Sequence, residues 1–180
     1  MVIQTERLYL RELTPDDLAS LKALIQNETV MESYGGVRDD KECEEWLSRQ
    51  QARYASLGYG LWALHLKEND RFIGQCGLVP HEWKGKTVLD LVYILDVGFW
   101  NQGYGTEAAK ACRDFAFNTL GQSEVYSIIR DINEYSQIIS VRLGMEVVDR
   151  KTDLYRGVKK PHYLYCARRD HAQKRIETRS

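Results

Sequence analysis

The 180-residue sequence predicts a mixed α+β domain, with strands and helices interleaved along one chain. Three observations carry that expectation. Short runs alternate apolar and polar side chains, the period of a half-buried strand. Longer runs place apolar residues at helical spacing behind capping residues. Three strands in succession then precede a glycine pair that opens a helix.

The elements follow in order. Residues 7–13, RLYLREL, alternate Leu8 and Leu10 with charged neighbours and read as a strand. Thr14-Pro15-Asp16-Asp17 opens a helix with a hydroxyl cap, an early proline and acids at the positive dipole end. Leu18, Leu21, Leu24 and Ile25 give its stripe, which fades near Gln26. A looser region with Gly35-Gly36 leads to a second long helix, which starts at Asp39-Asp40 and is capped by Gly58. GLWALHLK and RFIGQCGLVP are strands joined at Glu68-Asn69-Asp70, and a polar loop around HEWKGK precedes the strand TVLDLVYILDV. The glycines and a helix to about Leu120 come next, then the strand EVYSIIRD and the helix NEYSQIISVRL, stopped by Gly144. MEVVDRKTDLY and KPHYLYCARR read as a closing antiparallel pair.

Size and charge narrow the function classes. The length suits one domain, expected over 1–180 with a core at 5–168 and a basic tail at 169–180. With 25 basic against 26 acidic residues the chain offers no broad field for nucleic acid or an anionic membrane. Only the tail is lopsided, through Arg168, Arg169, Lys174, Arg175 and Arg179; it reads as a solvated terminus or as an arm for an anionic partner. Cys43, Cys76, Cys112 and Cys166 are scattered, without metal-ligand spacing, and fit buried thiols of a reducing compartment. No apolar stretch approaches about 20 residues, so the chain reads as cytoplasmic, without metal or membrane.

The segment 96–111, DVGFWNQGYGTEAAKA, carries the chemistry. Gly103-Tyr104-Gly105-Thr106-Glu107-Ala108 matches a dinucleotide fingerprint, with Asp131 as a ribose ligand, but DVGFWNQ intervenes between strand and glycines and too little chain follows for a doubly wound sheet. The glycines could also serve a tight turn alone. A third reading places backbone N–H groups of Gln102, Gly103, Tyr104, Gly105 and Thr106 around a pyrophosphate at the helix start, where unpaired amides and the dipole favour an anion.

That third arrangement resembles the acetyl-CoA motif of the GNAT superfamily of N-acyltransferases. DLVYILDVGFWNQGYGTEAAKACRDFAF is most similar to the ribosomal-protein (Rim-type) N-acetyltransferase branch. NEYSQIISVRLGM resembles that branch's later helix, with Asn133, Ser136, Gly144 and Met145 in register, and TERLYLRE resembles its first strand. The resemblance implies a mixed, mostly antiparallel sheet flanked by helices on both faces, splayed in a V between its central strands. It implies acetyl-CoA as co-substrate, transfer to a primary amine (a protein N-terminus or a small molecule) in a ternary complex, and coenzyme contacts from Ile94, Leu95, Trp100, Asn101, Gln102, the glycine turn, Asn133 and Ser136. Trp100 stands where the superfamily usually has Gln or Arg, Val92 stands where the branch often has glycine, and the usual acid tyrosine falls at Ser140.

The reaction needs a base for an amine that is mostly protonated at neutral pH. Asp90 is the first candidate, with Glu82 and His81 in the preceding loop second; a turn carboxylate and an exposed loop histidine are the plain alternatives. Oxyanion donors would be the Ile94 or Leu95 amides, freed by the splay. Ser140 could protonate the leaving thiolate through water, or be a small helix residue. Asn133 and Ser136 read equally as capping residues. Cys112 sits on an apolar helix face and reads as core. Rival functions are a catalytically silent acyl-CoA sensor and a dinucleotide-binding oxidoreductase, and a homodimer stays open.

Overall fold

The computed structural model describes residues 3–155 and 158–169; residues 170–180 of the basic tail lie outside the described residues. Eight described strands form one sheet: β1 (Ile3–Gln4), β2 (Leu8–Arg11), β3 (Leu61–Leu66), β4 (Phe72–Trp83), β5 (Lys86–Leu95), β6 (Glu124–Arg130), β7 (Glu146–Tyr155) and β8 (Val158–Arg168), in the order β1-β2-β3-β4-β5-β6-β8-β7. All neighbours are antiparallel except β5 and β6. The helices are α1 (Leu18–Ile25), α2 (Glu28–Met31), α3 (Asp40–Leu57), α4 (Tyr104–Asn118) and α5 (Glu134–Arg142).

Local chemistry explains the helix limits. Asp39 accepts from the Glu42 amide while Glu42 reaches back to the Asp39 amide, and Gly58 ends α3 at φ 76°. Asn133 caps α5 by accepting from the Ser136 amide at 3.0 Å. The helices cover both sheet faces. Trp46 of α3 donates to Gln75 of β4 on one face, whereas on the other Cys112 of α4 lies 3.5 Å from Cys76, sulfur to sulfur. Cys112 is fully buried, and burial holds its thiol well above the usual value, as expected of core.

Two expectations change. HEWKGK is not a loop: β4 runs on to Trp83 and turns through Lys84-Gly85 into Lys86, with both turn residues at positive φ. Period-two alternation therefore governs this stretch, sending His81 and Glu82 to opposite faces. The region after α1 also holds more structure than Gly35-Gly36 suggested. Glu32–Tyr34 forms a tight turn of helix that Gly35 ends at φ 90°.

The feature that shapes the site is the seam between β5 and β6. Their parallel ladder has one register pair, Asp90 with Tyr126, and then opens. Side chains take over where the β6 backbone leaves. Ser127 Oγ donates to the Leu91 carbonyl at 3.0 Å, Tyr34 Oη to the Tyr93 carbonyl at 2.7 Å, and Trp100 Nε1 to the Leu95 carbonyl at 2.9 Å. The V-shaped splay is present.

Candidate active site

The opening leads into two cavities. A groove of about 260 Å³ runs between the end of β5 and the start of α5, past Leu95, Trp100, Tyr135 and Ser136. A larger cavity of about 490 Å³ lies on the α3 side, against Val79, His81, Asp90, Val92 and Trp46. Tyr34, Tyr93, Asn133 and Ser136 border both.

The head of α4 packs beside the groove, with Gly105 against Tyr135 of the groove wall. Gly103 precedes it at φ 85°, a conformation that side-chain-bearing residues rarely adopt. Among the described residues, the amides of Gln102 through Thr106 have no protein acceptor, so this turn presents donors suited to a bound anion. Gly105 answers to a different demand. A Cβ there would fall 2.8 Å from Tyr135 Oη and 2.9 Å from Ile139 Cδ1, so this glycine lets α4 pack on α5.

Arg7, which the sequence reading passed over, organises the same turn. Its Nη1 donates to the Gln102 carbonyl at 3.1 Å, its Nη2 lies 2.7 Å from Glu107 Oε2, and its guanidinium sits 4.3 Å from the Tyr104 ring centroid. Gln102 is occupied through its side chain, which donates to the Gly98 carbonyl at 2.8 Å. Asn101 is exposed, at φ 60°. Trp100 stacks on Tyr135 at 5.7 Å between centroids and walls the groove.

At the seam, Asp90 is 4% exposed. Its Oδ1 accepts from the Ile128 amide at 3.1 Å, and its Oδ2 lies 3.4 Å from His81 Nδ1. The carboxylate thus occupies the position where the strands part, and it orients a half-exposed imidazole toward the larger cavity. Glu82 is exposed on the opposite face and takes no part, because the segment is strand and not loop. Of the two amides expected to face the opening, Ile94 is turned the other way. Asp96 N–H donates to the Ile73 carbonyl, so the alternation in register aims Ile94 at β4 and directs Tyr93 and Leu95 to the gap.

Ser140 is fully buried, 3.4 Å from Tyr93 Oη, and lies outside both cavity linings. The phenol at the boundary is Tyr34. Burial pushes its hydroxyl up to about 12 against the opposing pull of Ser136 and Asn133, so it stays protonated at neutral pH. Tyr93, whose hydroxyl donates to the Ser136 carbonyl at 2.8 Å, is also raised by burial. Asn133 and Ser136 form the α5 cap and also border the cavities.

Comparison with known proteins places this arrangement. The model of the acetyltransferase (GNAT) domain matches residues 7–146. The uncharacterized protein YkkB of Bacillus subtilis (strain 168) is 33% identical over 142 residues, which cover 78% of this chain and 83% of YkkB. An acetyltransferase (GNAT family) from Bacillus anthracis has the same fold at a TM-score of 0.81 and 18% identity, over 94% of this chain and 99% of that one. Spermidine N-acetyltransferase from Vibrio cholerae, solved in complex with CoA and spermine, matches at 0.77 and 14% identity, over 94% and 99%. The chain belongs to the acetyltransferase (GNAT) domain family.

Proposed function

We propose that this protein transfers an acetyl group from acetyl-CoA to a primary amine, a protein N-terminus or a small molecule, within a ternary complex. The carrying observation is the run of unpaired amides from Gln102 to Thr106, braced by Arg7, on a helix head that packs against Tyr135 of the groove beside the parted strands. Acetyl-CoA supplies an activated acyl group; everything else is done by this chain. The turn amides and Arg7 hold the diphosphate, and Trp100, Leu95 and the α5 cap line the path of the arm. The motif resemblance points to the ribosomal-protein branch, and a protein of the same fold, spermidine N-acetyltransferase from Vibrio cholerae, was solved in complex with CoA.

The amine enters by the larger cavity. A proton on His81 Nδ1, facing Asp90, leaves Nε2 as the acceptor for the proton that the amine releases, and Asp90 positions the ring. The Leu95 and Tyr93 amides face the gap and suit a developing oxyanion. As the C–N bond forms and the C–S bond breaks, the leaving thiolate, stable near its free pKa of about 8.5, takes its proton from water at the boundary that Tyr34 borders.

Thiol release from acetyl-CoA with an amine panel tests the reading. His81→Ala is expected to lower turnover about 10²–10⁴-fold, the usual range for a general base, with coenzyme Kd unchanged. Asp90→Asn should act in the same direction. CoA binding without turnover of any amine would favour a silent sensor; unchanged turnover in His81→Ala would remove the proposed base.

A further inference from the structure

We propose that the acceptor is a primary amine that also carries an anionic group, a carboxylate or a phosphate, held by Arg49 and Arg53 while its amine faces Asp90 and His81. The inference rests on the transferase reading above and narrows its acceptor.

Arg49 and Arg53 stand one turn apart on α3, and both line the larger cavity. Like charges at this spacing oppose each other. Burial and the neighbouring Arg49 both hold the Arg53 guanidinium below its ordinary value, so the cation lacks compensation. Arg53 Nη1 donates to Gln50 Oε1 at 3.1 Å and meets no carboxylate within ion-pair distance among the described residues. Arg49 reaches Glu45 at a loose 3.9 Å, out in solvent. From the opposite wall comes Arg130, whose Nη1 donates to the Glu32 carbonyl and whose buried Nε has no partner.

The acids facing this space do not balance those cations. Asp153 is matched by Lys151 and His162, each at 3.3 Å. Asp90 lies at the strand break beside His81. Cations therefore outnumber acids around the cavity, with guanidiniums on the α3 wall and from β6 and one carboxylate beside the imidazole at the seam. A polyamine would set its second cation against that wall. An anion-bearing amine satisfies both ends, and a guanidinium pair is suited to bidentate contact with carboxylate or phosphate.

The test compares γ-aminobutyrate, its amide and putrescine, which share one amine and one chain length and end in an anion, a neutral group and a cation. Amidated Ala-Glu-Glu and Ala-Gln-Gln peptides extend the comparison to chain termini and separate a free acceptor from a protein one. With acetyl-CoA saturating, kcat/KM for the anionic members is expected to exceed their neutral and cationic partners by about tenfold or more, the effect of one charge-assisted contact. Arg49→Gln with Arg53→Gln should erase that preference while coenzyme affinity stays; Arg53→Lys should restore part of it. Putrescine or the amide turned over as well as γ-aminobutyrate would overturn the inference and leave the transferase reading standing. Calorimetric titration of the CoA-loaded protein with γ-aminobutyrate separates the failures. Arginine-dependent binding without turnover of any amine would uphold the anion site and overturn the transferase reading. Absence of both would overturn both.

Discussion

Gly103 and Gly105 are separated by one residue yet obey different constraints. The first needs a left-handed backbone, and the second needs empty space under Tyr135 and Ile139. Gly105→Ala is therefore expected to lower stability by about 1–3 kcal/mol, the range for overpacking, and to loosen the α4 head, read as a lower Tm and weaker coenzyme binding together. Arg7→Gln should weaken coenzyme binding with a smaller effect on Tm, since the residue is 43% exposed but braces the Gln102 carbonyl. Calorimetry with CoA checks both. The glycine pair was legible in the sequence because backbone freedom is written in residue type. Arg7 and Tyr34 were not, because each reaches its position by tertiary packing from a segment whose periodicity says nothing about the turn it meets. The same holds for Arg53, which looks like one more helix cation until α3 is seen to wall the larger cavity.

Among the elements, α4 depends on its first turn. Burial alone would raise the Glu107 carboxyl, but bonds from Thr5 Oγ1, the Arg7 amide and the Arg7 guanidinium outweigh it and hold the group below the usual range. A depressed folded-state value contributes stability above the unfolded value, and that contribution is lost as pH falls. From about pH 4.3 downward, wild type should lose Tm faster than Glu107→Gln, as scanning calorimetry across pH would record. A matching slope in the variant would break the link. Helix limits were readable from caps such as Asp39 and Gly58, which act locally. The β4–β5 hairpin was misread because His81-Glu82-Trp83 is polar at its exposed positions, and a strand reaching into solvent near a site looks like a loop.

For the molecule as a whole, the order of strands was only partly legible. Alternation identified strands, but nothing local says that β8 inserts between β6 and β7, or that the ladder fails after Asp90; those follow from which faces find helices to cover them. The coenzyme bridges α4, α5 and the seam in the proposed complex, so its binding should stabilise the fold globally. At CoA about 100-fold above Kd the linkage is about 2.7 kcal/mol, and Tm should rise by about 5–10 °C for a chain of this size. NAD should give no such rise, and a shift with NAD alone would restore the dinucleotide reading. The two cavities meet at Tyr34, one walled by α3 and the other by Trp100 and Tyr135. Under the proposed assignment neither substrate blocks the other's doorway. Initial-rate plots are then expected to intersect with no compulsory sequence of arrival, and each product to compete with the reactant that shares its entrance.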